Sequence, residues 1–155
     1  MNLTQIKGNT WVLEGQEFIP LYRLDERRCV LLDNGLVQEQ KELEESLKGA
    51  GLVPAGILCS HAHIDHCGNS AYLQRKYGIP EALTAPEAGM CANLLTLKCY
   101  FLTLPPETVA EESSNMIHTP DVIIPPGDGP FSFCGAEFRI VHTPGHSAGH
   151  ICTVT

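Results

Sequence analysis

Little at the start of this sequence suggests a signal peptide, and none is expected: residues 1–7 have neither the charged start nor the apolar stretch of one. No apolar run is long enough to cross a bilayer either. The densest, residues 94–104, is short and is interrupted by Lys98. Basic residues are scarce, 10 Lys and Arg against 18 Asp and Glu, for a formal net charge of −8. A protein that grips phosphates needs a basic surface, so this balance disfavours nucleic-acid partners. The cysteines at 29, 59, 67, 91, 99, 134 and 152 form no C-x-x-C pair, which excludes a thioredoxin motif and a zinc ribbon. Seven is an odd number and the spacing is irregular, as suits a reducing cytoplasm rather than a disulfide framework. Internal repeats, low-complexity tracts and linkers are missing too. What is there is an ordinary globular balance, 43% hydrophobic and 18% charged. The 155 residues suit one domain, 1–155, with enough chain for a real core.

The first third reads as short strands at residues 10–13, 18–24 and 29–33, separated by Gly15-Gln16 and a charged turn at 25–28. Asp33-Asn34-Gly35 closes the third run with residues that tolerate a tight turn. Residues 37–50 read as a helix with Leu43 and Leu47 four apart, stopped by Gly49 and Gly51. A buried strand at 57–59 then runs straight into His61. A helix at 68–77, a strand at 82–85 and a helix at 87–101 follow, with a polar connection at 105–120. Strands are expected at 122–124, 131–134 and 137–142, and a last one at 151–155. Strand–helix alternation of this kind predicts a layered α/β domain.

Six of the seven histidines fall in two windows. The first reads His61-Ala62-His63-Ile64-Asp65-His66. Side chains alternate along an extended segment, so His61, His63 and Asp65 leave one face together, and a turn starting at Asp65 lets His66 join them. Burying three imidazoles and a carboxylate with no ion is costly, which favours a metal site over a polar loop. Four ligands in six residues are more than one tetrahedral zinc uses from so short a piece, and two adjacent metals divide them more naturally. The second window, His142-Thr143-Pro144-Gly145-His146-Ser147-Ala148-Gly149-His150, spaces its histidines by four. Pro144 and Gly145 make a continuous helix there unfavourable, so the reading is a strand ending at His142 and a loop projecting His146. Cys67 reads as small apolar packing rather than a nucleophile. His118 reads as an ordinary surface histidine. Residues 89–120 read as a packing helix with a surface loop or as part of a lid.

The H-x-H-x-D-H run at 61–66, the Thr-Pro-Gly-His-Ser-Ala-Gly-His run at 143–150 and the Leu31-Leu32-Asp33-Asn34-Gly35 turn together resemble the metallo-β-lactamase superfamily, over essentially the whole chain. The resemblance implies an αββα sandwich, of which this chain is an incomplete, N-terminal portion. It implies that His61, His63 and His146 hold a first metal and that Asp65 and His66 help hold a second. Asp33 would orient a ligand by a hydrogen bond, and His150 would belong to the structure of its loop. The metal implied is zinc, one or two ions, although imidazole and carboxylate also suit iron or manganese. Asp65 is the implied catalytic residue, orienting a metal-activated water and then handling its proton.

The family pattern continues past the second motif with a bridging aspartate and a final histidine, and here the sequence stops at Thr155. Truncation, or completion by an identical copy or a second chain, is expected over a purposeful half-domain, because an uncovered sheet face would expose apolar surface. The expectation for function is a cytoplasmic metal-dependent hydrolase of small ester-, thioester- or lactone-like substrates. The alternatives are an iron-dependent sulfur-oxidising enzyme of the same superfamily and a non-catalytic metal-binding half-domain. Expected partners are the small-molecule substrate and a second copy or chain, with neither nucleic acid nor membrane.

Overall fold

A computed structural model describes residues 1–113 and 115–155, with Tyr100 and Glu112 described by backbone alone. Ten strands and six helices follow one another along the described residues. Four strands open the chain: β1 (Asn2–Lys7), β2 (Thr10–Glu14), β3 (Phe18–Arg23) and β4 (Arg28–Leu31). After a short 3-10 turn come α1 (Gln40–Gly49), β5 (Val53–Leu58), the single-turn α2 (Ile64–Cys67), α3 (Ser70–Tyr77) and β6 (Glu81–Thr84). Helices α4 (Ala85–Cys91), α5 (Leu94–Tyr100) and α6 (Pro106–Glu112) precede β7 (Val122–Ile124), β8 (Gly129–Phe133), β9 (Ala136–His142) and β10 (Ile151–Val154).

Seven strands form one sheet in the order β1-β2-β3-β4-β5-β6-β7, antiparallel as far as β4 and parallel from β4 to β7. The parallel half explains the uninterrupted apolar runs, because both of its faces are covered. Cys29, Leu31, Ile57 and Leu83 face one way and meet Leu43, Leu47, Leu73, Leu97, Val109 and Met116 from the helical side. Val30, Leu58, Ala82 and Ile124 face the other way, onto Phe133, Phe138, Ile140 and Ile151 of a three-stranded sheet ordered β10-β9-β8. Tyr22 and Phe138 meet edge-on across the two sheets with ring centroids 5.4 Å apart. The layers are therefore α, β and β. Each fully buried aliphatic side chain contributes roughly 1.5–3 kcal/mol, so the Leu43–Leu47 pair outweighs anything the charged outer face of α1 supplies.

Several expectations need correction. Residues 2–7, where the sequence pattern predicts no strand, pair with β2 as an edge strand whose side chains are almost all exposed, so no buried face marks them. The single helix expected over 87–101 is two. Asn93 adopts an extended backbone and its side chain accepts a hydrogen bond from Thr96 N at 3.0 Å, which ends one helix and caps the next. The polar connection at 105–120, apart from Ser114 outside the described residues, contains α6 with Pro106 in its first turn. His118 is no surface residue: its ring is 4% exposed and meets the fully buried Glu81 carboxylate. The last strand finds its partner inside the chain, pairing antiparallel with β9 from Ile151↔His142 to Val154↔Arg139. The outer face of the small sheet is mixed, with Ser132, Glu137 and Arg139 exposed beside Pro130, Cys152 and Val154.

Candidate metal centre

The carboxyl ends of the parallel strands β4, β5 and β6 lie side by side, the edge of such a sheet where ligands collect. Buried β5 delivers the chain through Cys59 and Ser60 into His61, which is 1% exposed. The backbone stays extended only as far as His63 (φ −89°, ψ 156°) and then turns into α2. The extended reading of the first window therefore holds for His61 and His63, while Asp65 and His66 are set by a helical turn. The second window is the hairpin loop between β9 and β10. Thr143 N donates to His150 O at 2.9 Å and Thr143 Oγ1 lies 2.7 Å from His150 Nδ1, closing the loop at its base. Gly145, with φ 148° in the region that favours glycine, turns the tip and carries His146 back over His61.

His61, His63 and His146 converge, one ring nitrogen from each lying within 4.8 Å of the other two. His146 Nε2 is 3.1 Å from His61 Nε2. His61 is buried, His63 half-buried and His146 exposed, so the cluster opens to solvent on the His146 side. Burial pushes His61 down to about 3, helped by the neighbouring His66 and His63. Burial and then His146 push His63 down as well. Both shifts favour the neutral imidazole, the form that ligates a metal. Three nitrogen donors aimed at one point, with an open side, fit a divalent ion that keeps a position for water or substrate.

A family model described as the metallo-beta-lactamase superfamily matches residues 7–155. The chain belongs to the metallo-beta-lactamase superfamily. A probable metallo-hydrolase, YqgX, of Bacillus subtilis (strain 168) is 27% identical over 130 residues, 84% of this chain and 56% of the relative. A hydroxyacylglutathione hydrolase of Pectobacterium carotovorum subsp. carotovorum (strain PC1) is 28% identical over 134 residues, 86% of this chain and 41% of the relative. The FEZ-1 metallo-beta-lactamase of Legionella gormanii has the same fold, with a TM-score of 0.79 at 18% identity over 99% of this chain and 57% of that one. The BLEG-1 B3 metallo-beta-lactamase gives 0.70 at 21% identity over 98% and 65%. The chain thus spans about half the length of the relatives it matches, and its α, β and β layers are part of the superfamily's fold.

The remaining residues of the metallo-beta-lactamase signature surround the three histidines. Asp33, with φ 76° at the end of β4, accepts hydrogen bonds from Ser60 N at 2.6 Å, Ser60 Oγ at 2.8 Å and His66 Nδ1 at 2.8 Å. The bond to His66 is the contact that an orienting role for Asp33 would use. Burial alone would raise Asp33 and lower His66, but their mutual bond reverses both: Asp33 sits below the usual carboxylate range and His66 above the usual imidazole value. Asp65 Oδ2 lies 3.4 Å from His66 Nε2, so these two form a pair beside the three-histidine cluster. His150 contributes to its loop as expected, yet its ring centroid is also 4.8 Å from that of His61. His142 is the end of β9, its backbone N held by Asp128.

Cys67 is buried, and contacts with Cys59 and Cys91 together with burial raise its thiol well above the ordinary value, the opposite of a nucleophile's requirement. Of the 89–120 segment, Leu97, Val109 and Met116 are core, whereas the Phe101 ring reaches the centre with its centroid 5.8 Å from that of His63. Ser60 and Glu87 border the histidine cluster, and no sequence motif marked them. Ser60 borders His61, with Oγ 2.9 Å from His61 Nδ1. Its position directly ahead of the signature was the available signal.

Proposed function

We propose that this chain supplies the metal-binding part of a zinc-dependent hydrolase acting on a small ester-, thioester- or lactone-like substrate. The observation that carries the reading is the convergence of His61, His63 and His146 at the carboxyl edge of the parallel strands, with His146 Nε2 3.1 Å from His61 Nε2. Relatives named as a metallo-hydrolase and as hydroxyacylglutathione hydrolases support hydrolysis as the reaction class. In this reading the three histidines bind the first ion, and His66, steadied by Asp33, faces a second position together with Asp65. The chemistry such an ion supplies is a bound water with a pKa of about 7 and Lewis-acid polarisation of a carbonyl. Asp65, about one-third exposed and in contact with His66, would orient that water and accept its proton. The exposed side at His146 admits the substrate.

The test loads the full chain with Zn²⁺, Fe²⁺ or Mn²⁺ in turn and assays hydrolysis of a small acyl thioester, beside metal analysis of the protein as purified. Zinc as the bound metal and zinc-dependent thioester cleavage are expected. Iron as the bound metal with oxygen-dependent turnover of a thiol or persulfide would replace the reading with the sulfur-oxidising alternative. Stoichiometric metal without turnover by the chain or any assembly containing it would leave a binding module.

A further inference from the structure

Glu87 lies in the first turn of α4 and is fully buried. Its Oε2 accepts a hydrogen bond from Ala62 N at 2.8 Å, the peptide between His61 and His63. Its Oε1 accepts from Ser147 Oγ at 2.7 Å and Gly149 N at 2.7 Å, just after His146. One carboxylate thus bridges two segments whose central histidines are 85 residues apart in sequence. The same corner contributes a further bond, from Thr84 Oγ1 to Gly149 O at 2.9 Å. The contact is so close that Gly149 tolerates no side chain: a Cβ there would lie 3.0 Å from Glu87 Oε1 and inside contact distance of Thr84 Oγ1.

A buried carboxylate costs several kcal/mol unless its oxygens are bonded, and here both are bonded to the ligand-bearing segments. We infer that Glu87 is the positioning residue that fixes His146 against His61 and His63, and so sets the affinity and geometry of the metal they hold. It acts through the backbone of both segments and through Ser147. The inference rests on the metal-hydrolase reading above. A glutamine of the same size cannot replace it. Its single oxygen serves one segment, and its NH₂ then faces either Ala62 N or Gly149 N, a donor against a donor.

The experiment uses the full chain and its Glu87→Gln and Ser147→Ala variants. Zn²⁺ affinity is measured by competition with a chromophoric chelator, the visible spectrum of the Co²⁺-loaded protein reports coordination geometry, and melting of the metal-free protein reports packing. Glu87→Gln is expected to lose about 10–100-fold in Zn²⁺ affinity and to shift the Co²⁺ bands, with metal-free melting within a few degrees of the parent. Ser147→Ala, which keeps the carboxylate, is expected to lose less in the same direction. Parental affinity and an unchanged Co²⁺ spectrum in Glu87→Gln, whatever its melting temperature, would reduce Glu87 to packing. Should Glu87→Gln not fold, Ser147→Ala decides: lost affinity at unchanged melting supports positioning, and parental affinity overturns it. A parent chain that binds neither ion overturns the metal reading itself, and the positioning role with it.

Discussion

His61 is the hub of the centre, its ring 4.1–4.8 Å by centroid from those of His63, His66, His146 and His150. Replacing it by alanine turns a three-histidine site into a two-histidine one, so His61→Ala is expected to abolish tight Zn²⁺ binding in the same chelator competition. Asp65→Asn is expected to leave affinity for the first ion near the parental value while reducing turnover by about 10²–10⁴-fold, the usual range for a proton-handling group. Equal loss of the first ion in both variants would show the two roles misassigned. His118 makes a separate prediction. Burial lowers its proton affinity, but contact with Glu81 more than compensates and raises its pKa above the ordinary 6.5. The folded state therefore holds this proton more tightly than the unfolded one. The resulting stabilisation is complete below about pH 6.5 and is lost as pH rises through the folded-state value. Urea midpoints of the parent should fall over that window relative to His118→Ala. The variant itself should lose about 3–5 kcal/mol at pH 6, because a buried carboxylate is left without its ionic partner. A parent-minus-variant difference flat in pH would remove the ion pair from the account.

At the scale of elements, the site depends on three strand ends and a hairpin, and most of these were legible. The apolar run before His61 gave β5, and Pro144-Gly145 gave the loop that carries His146. Less legible were features that need a partner to be recognised. Strand β1 has too few buried side chains to show a pattern, and the break between α4 and α5 turns on one asparagine in an otherwise helical run. That asparagine gives a further prediction. Asn93→Ala removes the hydrogen bond to Thr96 N that starts α5 and is expected to cost about 1 kcal/mol, measured as a lower urea midpoint with an unchanged slope. An unchanged midpoint would mean that packing of Leu97 alone holds the helix. Gly68 shows the same limit from the other side: a Cβ there would lie 2.5 Å from Ile64 O and 2.6 Å from Gly35 O, so the glycine serves a backbone contact that only the folded chain contains.

For the molecule as a whole, the histidine cluster and the core are linked, because His61 and His63 extend from a strand buried on both faces while His146 lies in the hairpin loop of the second sheet. A bound ion should therefore tie the two sheets together. Zn²⁺ at a free concentration a thousand times its dissociation constant is expected to raise stability by about 4 kcal/mol, and a chelator should reverse the shift in melting temperature. A melting temperature indifferent to Zn²⁺ would argue that the three histidines bind it no better folded than unfolded. The sequence by itself determined the superfamily, the layered α/β plan and the candidate ligands, because local order encodes these: apolar runs make buried strands, and His-x-His at a strand end presents imidazoles side by side. Tertiary structure alone decided which ligands share a point. His61 and His146 meet because β9 and β10 pack on the face of the large sheet through Phe138, Ile140 and Ile151. It alone buried His118 against Glu81, and it alone brought Glu87 between the two histidine segments. A hydrogen bond donated by a backbone N–H to a carboxylate 25 residues away in sequence leaves no pattern along the chain. Any residue can supply that N–H, and only the packing of α4 against the strand ends selects which one does.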